Sequence, residues 1–145
     1  MADLVIKGGT VLMCGEIIKN GVIAVDNGLI AFVGKDTKVK ADKIIDAKGC
    51  AVMPGLVNAH THLPMTLLRG HADGLPYREW TEKIRKAETR LTSDYIKTGA
   101  RLGILEMIKS GTTSFADMYI HMDEVAQIVE ETGIRAALGY RSEEH

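Results

Sequence analysis

The sequence is poor in cysteine, carries no excess of either charge, and has no long apolar run. Its two cysteines, Cys14 and Cys50, sit in apolar surroundings without metal-type spacing. That excludes a disulfide framework and predicts free, buried thiols. Eighteen basic and nineteen acidic side chains give a formal charge of −1. No basic stripe therefore points to nucleic acid or to an anionic membrane. The apolar stretches fall far short of the roughly 20 residues a membrane-spanning helix needs. The opening residues also lack the basic start and long apolar core of a secretory signal. What is there is ordinary globular material: 145 residues, 46% hydrophobic and 26% charged. This composition suits one soluble, cytoplasmic domain of average size.

The chain has two textures. Residues 1–53 are a series of short β-type runs at 4–7, 11–13, 22–25, 29–33, 43–46 and 51–53. They are punctuated by Gly8-Gly9, Asn20-Gly21, Asn27-Gly28, Gly34 and Lys48-Gly49. Asn-Gly between apolar runs is a strong hairpin signal, so this part is expected to be an antiparallel β unit. From residue 54 the period changes. Ser93 is placed to cap a helix carrying Ile96, Ala100, Ile104, Met107 and Ile108, which Gly111 ends. Residues 112–117 read as a strand. Val125, Ile128, Val129 and Thr132 then mark a second helix ending at Gly133, and residues 134–138 read as another strand. With a first strand at 56–58 this is the βα rhythm of a parallel sheet. A long insert, 63–92, separates that strand from the Ser93 helix and carries the single tryptophan, Trp80. Long βα loops tend to be functional.

His60 and His62 stand two apart where the first of these strands ends. Side chains at i and i+2 share a face, so both imidazoles point toward the place where α/β proteins build active sites. Two neutral imidazoles converging there suit a zinc-like cation, although an isolated pair of this kind also arises with both rings held by backbone carbonyls.

The surroundings read Met53-Pro54-Gly55-Leu56-Val57-Asn58-Ala59-His60-Thr61-His62, followed by Leu63-Pro64-Met65-Thr66-Leu67-Leu68-Arg69-Gly70. This resembles the signature of the amidohydrolase superfamily, in the branch that deaminates S-adenosylhomocysteine, 5′-methylthioadenosine and related adenosines. The likeness continues through Trp80, Glu88-Thr89-Arg90-Leu91-Thr92 and Phe115-Ala116-Asp117-Met118-Tyr119. It implies an α/β fold: the N-terminal part of a metal-dependent (β/α)8 TIM barrel, preceded by half of a small β-sandwich. Residues 1–53 would be the sandwich portion and 54–145 the first two to three βα units. His60 and His62 would be metal ligands, the metal being zinc, with iron or manganese as alternatives. Glu88 would take both ribose hydroxyls of the nucleoside, and Trp80 would either face the substrate or anchor the loop. The implied reaction is hydrolytic deamination at C6 of the adenine, giving an inosine analogue and ammonia. Arg69 and Asp117 would pair charges at strand ends, and Met65, Met107, Met118 and Met122 would be core.

A full barrel takes about 250 residues. The resemblance places the other ligands, two histidines and an aspartate, and a proton-moving glutamate on later strands. The 145-residue chain by itself is therefore expected to be inactive. His71, His121 and His145 show no ligand spacing, and neither Tyr140 nor Arg141 is given a role. The expected partners are a nucleoside substrate and further copies of the chain, with no nucleic acid and no membrane. Guanine or cytosine deamination and triazine dechlorination are the neighbouring alternatives. A non-catalytic β-rich interaction domain is the alternative of another class.

Overall fold

The computed structural model describes residues 1–35 and 38–140; Arg141 and His145 lie outside the described residues. The chain divides into two compact units, Met1–Pro54 and Gly55–His145.

The first unit is a five-stranded sheet in the order β3-β2-β1-β4, with β5 also on β1. Its strands are β1 (Ala2–Met13), β2 (Glu16–Asp26), β3 (Leu29–Gly34), β4 (Ala41–Asp46) and β5 (Ala51–Val52). Asn27 and Gly28, both at positive φ, form the two-residue turn between Asp26 and Leu29. That is the turn chemistry an antiparallel hairpin requires. The antiparallel expectation holds for β1–β2–β3 only, because β4 and β5 pair with β1 in parallel. β4 lies on the opposite side of β1 from β2, so the chain returns across the sheet and enters it in the direction of β1.

Gly8-Gly9 and Asn20-Gly21 are likewise not turns. They interrupt the β1–β2 ladder, where Gly9 faces Gly21 between two register shifts. A Cβ on Gly9 would fall 2.8 Å from Val52 Cγ2, and one on Gly21 would fall 2.5 Å from Val11 Cγ2. Glycine at these two bulge positions leaves room for the Val52 and Val11 side chains, which a Cβ would strike. The β1–β2 reversal instead uses Cys14 and Gly15, the latter at φ 84. Cys14 is therefore exposed, as is Cys50 in the turn before β5; both thiols are free but not buried as expected. The core of this unit is small, built on Ala2, Val5, Val22 and Ala24.

In the second unit β6 (Leu56–Thr61), β7 (Thr112–Tyr119) and β8 (Arg135–Tyr140) form a parallel sheet in chain order. Helices α2 (Ser93–Lys109) and α3 (Met122–Thr132) bury Ile96, Ala100, Ile104 and Met107, and Val125 and Ile128, against Phe115 and Tyr119 of β7. Burying each of the large apolar side chains contributes about 1.5–3 kcal/mol. The cap of α2 is Thr92 and not Ser93: Thr92 is extended, and its Oγ1 accepts the Tyr95 N–H at 3.2 Å. A side-chain oxygen one residue before the first helical residue satisfies one of the orphan amides of the opening turn. Gly133, at φ 70, closes α3 by donating its N–H to Val129 O.

The insert between β6 and α2 is largely helical. It holds a 3₁₀ segment, Leu63–Leu68, and α1, Tyr77–Glu88, which starts immediately after Pro76. Gly99 of α2 lies against the 3₁₀ segment so closely that a Cβ there would stand 2.7 Å from Pro64 O. Among the described residues no helix is long and apolar enough to cross a membrane.

Candidate active site

β6 delivers His60 at its C-terminal end, with His62 one residue beyond Thr61. The two rings touch edge to face, with centroids 4.8 Å apart and planes at 72°. The i, i+2 spacing thus brings both imidazoles together. His60 is exposed and its N–H donates to Asn58 Oδ1 at 3.3 Å; His62 is half-buried.

β7 supplies the facing residues. Asp117 is 4% exposed. Its Oδ2 accepts the Leu63 N–H at 3.2 Å, while its Oδ1 stands 3.9 Å from His62 Nδ1. Burial pushes the Asp117 carboxyl above the usual carboxylate range, against the opposing pull of the Leu63 N–H and of His62. His62 Nδ1 and Asp117 Oδ1 are both buried without a hydrogen-bond partner among the described residues. Asp117 is therefore not half of a charge pair with Arg69. Arg69 instead grips Glu106 of α2 in a two-pronged bridge, 3.0 and 2.7 Å, that lowers the Glu106 pKa and raises its own.

An orphaned buried imidazole nitrogen beside a second imidazole fits a nitrogen-preferring divalent cation. Among the described residues no cluster of three metal-binding side chains forms. His60 and His62 could supply two of the three protein ligands that a catalytic zinc takes.

A cavity of about 370 Å³ opens beside His62, lined among others by Trp80, Arg85, Glu88, Met118 and Tyr119. The α1 insert and the ends of β6 and β7 meet there. Trp80 stacks on Tyr77 at 6.2 Å with ring planes 17° apart, so one side chain both lines the cavity and packs within α1. Glu88, half-buried at the C-terminus of α1, accepts the Tyr119 hydroxyl at 2.8 Å. Tyr119 also lies over the His62 ring, with centroids 5.5 Å apart.

Met107 and Met122 are core, as expected, whereas Met118 is 45% exposed and lines the cavity. Tyr119 was not singled out in the sequence. Its signal is the i+2 spacing from Asp117, on the strand next to the one bearing the histidines. His121 adopts a left-handed conformation, φ 53, at the start of α3. His71 lies elsewhere, on a second cavity with Lys83 and Arg90.

A short antiparallel ladder, a parallel βα series and two histidines where its first strand ends belong together in one class of protein. The Amidohydrolase family matches residues 51–144, and the chain belongs to it. Among its relatives, the chain is 53% identical over 140 residues to 5-methylthioadenosine/S-adenosylhomocysteine deaminase 2 of Archaeoglobus fulgidus, with 97% of this chain and 33% of that protein covered. It is 52% identical over 145 residues to 5′-deoxyadenosine deaminase of Methanosarcina acetivorans, with the same coverage of 97% and 33%. The structure superposes on the crystal structure of an adenosine deaminase from Xanthomonas campestris with bound zinc, with TM-score 0.89, 35% identity and coverage of 93% and 33%. The chain spans about a third of the length of the relatives it matches.

Proposed function

We propose that the protein to which this chain belongs is a metal-dependent deaminase of adenosine-type nucleosides. In this reading residues 54–145 form the first βα units of a (β/α)8 barrel, and residues 1–53 contribute half of a β-sandwich. The observation that carries it is that one cavity joins His62, in ring contact with His60, to Trp80 and Glu88.

Each residue has a task. His60 and His62 hold the cation, zinc first by the precedent of the Xanthomonas structure. When bound, the metal supplies the Lewis acidity that makes water nucleophilic at neutral pH. Asp117 fixes the backbone just after His62 through Leu63 and faces the His62 ring. Glu88 accepts the two ribose hydroxyls, since a carboxylate has acceptor sites for both as well as for Tyr119. Trp80 lays an apolar face along the substrate. Attack at C6 of the purine then releases ammonia and leaves an inosine-type product.

The substrates named for the relatives, 5′-methylthioadenosine, S-adenosylhomocysteine and 5′-deoxyadenosine, share the adenine and the 2′- and 3′-hydroxyls of the sugar and differ at the 5′ position. Glu88 reads the shared part. The reading extends to a cytoplasmic homo-oligomer, a compartment that suits the exposed free thiols of Cys14 and Cys50. The test is ammonia release by the whole gene product from these three nucleosides, with guanine, cytosine and a chlorotriazine as controls. Turnover confined to the controls sinks the proposal.

A further inference from the structure

Tyr119 touches both halves of the proposed machinery. Its ring, 1% exposed, lies 5.5 Å from the His62 ring, and its hydroxyl donates to Glu88 Oε1 at 2.8 Å. The two contacts have different origins in the chain. His62 follows β6, Tyr119 ends β7, and Glu88 ends α1, the helix that the long insert carries. Glu88 and Tyr119 are 31 residues apart in sequence.

We infer that Tyr119 is a positioning residue, which sets the Glu88 carboxylate at a fixed distance from the histidine pair and so fixes where the sugar sits relative to the reacting ring. This rests on the proposed role of Glu88 in binding ribose and deepens it.

The physical argument starts from Glu88 itself. A glutamate has three rotatable side-chain bonds, and this one is half-buried at the last residue of a helix. Helix ends fray, so such a carboxylate samples several positions unless something outside the helix holds it. A hydrogen bond from a neutral hydroxyl to a carboxylate is strong and directional. Its donor here belongs to a side chain buried in the core with Phe115, Val125 and Ile128, which cannot follow the carboxylate if α1 shifts. The bond also occupies one acceptor direction of Oε1, which is thereby closed to the two hydroxyls. The His62 contact completes the arrangement, because the side chain that aims Glu88 also bears on the imidazole beside the reacting carbon. Phenylalanine would keep the ring and the His62 contact, and would remove the hydroxyl that holds Glu88.

The test reads recognition of the sugar without depending on turnover. Inosine and 2′,3′-dideoxyinosine are of the product type and carry no amine to release, so their dissociation constants can be measured by titration calorimetry on the metal-loaded whole gene product. The unmodified protein is expected to bind inosine on the order of 100-fold more tightly than the dideoxy compound, for two hydrogen bonds to a charged acceptor. Tyr119→Phe is expected to cut that ratio to about 10-fold, with metal content and dideoxyinosine affinity unchanged. Glu88→Gln should lower the ratio at least as far. An undiminished ratio in Tyr119→Phe, alongside a collapsed one in Glu88→Gln, overturns the inference and leaves the ribose role of Glu88 standing. Equal binding of the two compounds by the unmodified protein overturns both. The deaminase reading is judged separately, by ammonia release from the adenosine compounds.

Discussion

The Asp117 carboxylate holds the Leu63 N–H at 3.2 Å across 54 residues of sequence. It thereby ties the end of β7 to the first residue of the 3₁₀ segment that follows His62. Two replacements of Asp117 separate this tie from the cost of burying charge. Asp117→Ala leaves the Leu63 N–H without its acceptor and should cost about 1–3 kcal/mol in urea unfolding. Asp117→Asn keeps an acceptor oxygen and removes the charge. Because burial raises the Asp117 pKa in the folded state, the folded protein binds more protons than the unfolded one as pH rises above 3.8. Stability is then lost through that range and levels off above the folded pKa. In chelator-treated protein, Asp117→Asn should abolish this loss, which a series of melts across pH will show.

His60→Ala and His62→Ala should each lower bound metal and deaminase activity, and the double variant should lose more than about a hundredfold in activity. Metal analysis after gel filtration, paired with ammonia release, checks this. Full activity in the double variant would remove the histidines from the site.

Gly99→Ala sets two effects against each other. Alanine favours a helix over glycine by about 1 kcal/mol. The new Cβ, however, would lie 2.7 Å from Pro64 O and 2.9 Å from Pro64 Cα, both backbone atoms. Overpacking of this kind costs about 1–3 kcal/mol and should win. Net destabilisation in a urea titration is expected, with lowered activity as the segment after His62 shifts. Gly103→Ala should be milder, since its nearest neighbour is the Leu63 side chain, which can turn away.

Trp80→Ala separates substrate contact from loop anchoring. A tryptophan face stacked on the nucleoside should raise KM about tenfold, as base–aromatic stacking does elsewhere, while kcat stays within about threefold. Steady-state kinetics on 5′-deoxyadenosine decide it. An unchanged KM would confine Trp80 to its packing against Tyr77.

Periodicity made α2 and α3 legible in the sequence, because each pairs one buried face with a solvent face, and β7 was legible from its β-branched and aromatic residues. Ile96, Ala100, Ile104 and Met107 mark such a face and are buried, whereas Ile108, read as part of it, is 53% exposed. The histidine pair was legible for a similarly local reason, since a spacing of two on a strand fixes a shared direction. What failed was non-local. Asn20-Gly21 and Asn27-Gly28 look alike as dipeptides, yet only the second has strand partners that close on it; the first faces Gly9 across a bulge. The direction of β4 depends on which side of β1 it docks, which no local pattern encodes. The same holds for the pairing of Tyr119 with Glu88 and of Asp117 with the Leu63 N–H, contacts that no local spacing encodes.

The parallel sheet runs β6, β7, β8, each strand lying beside its predecessor in the chain. Each of β7 and β8 therefore finds its parallel partner in the strand just before it, and neither of these two pairings depends on a segment further along the chain. The His62–Asp117–Tyr119 grouping draws only on β7 and the residue just after β6, all of it encoded ahead of α3 and β8. The chain as far as the end of β7 thus already carries both imidazoles and the carboxylate that faces them.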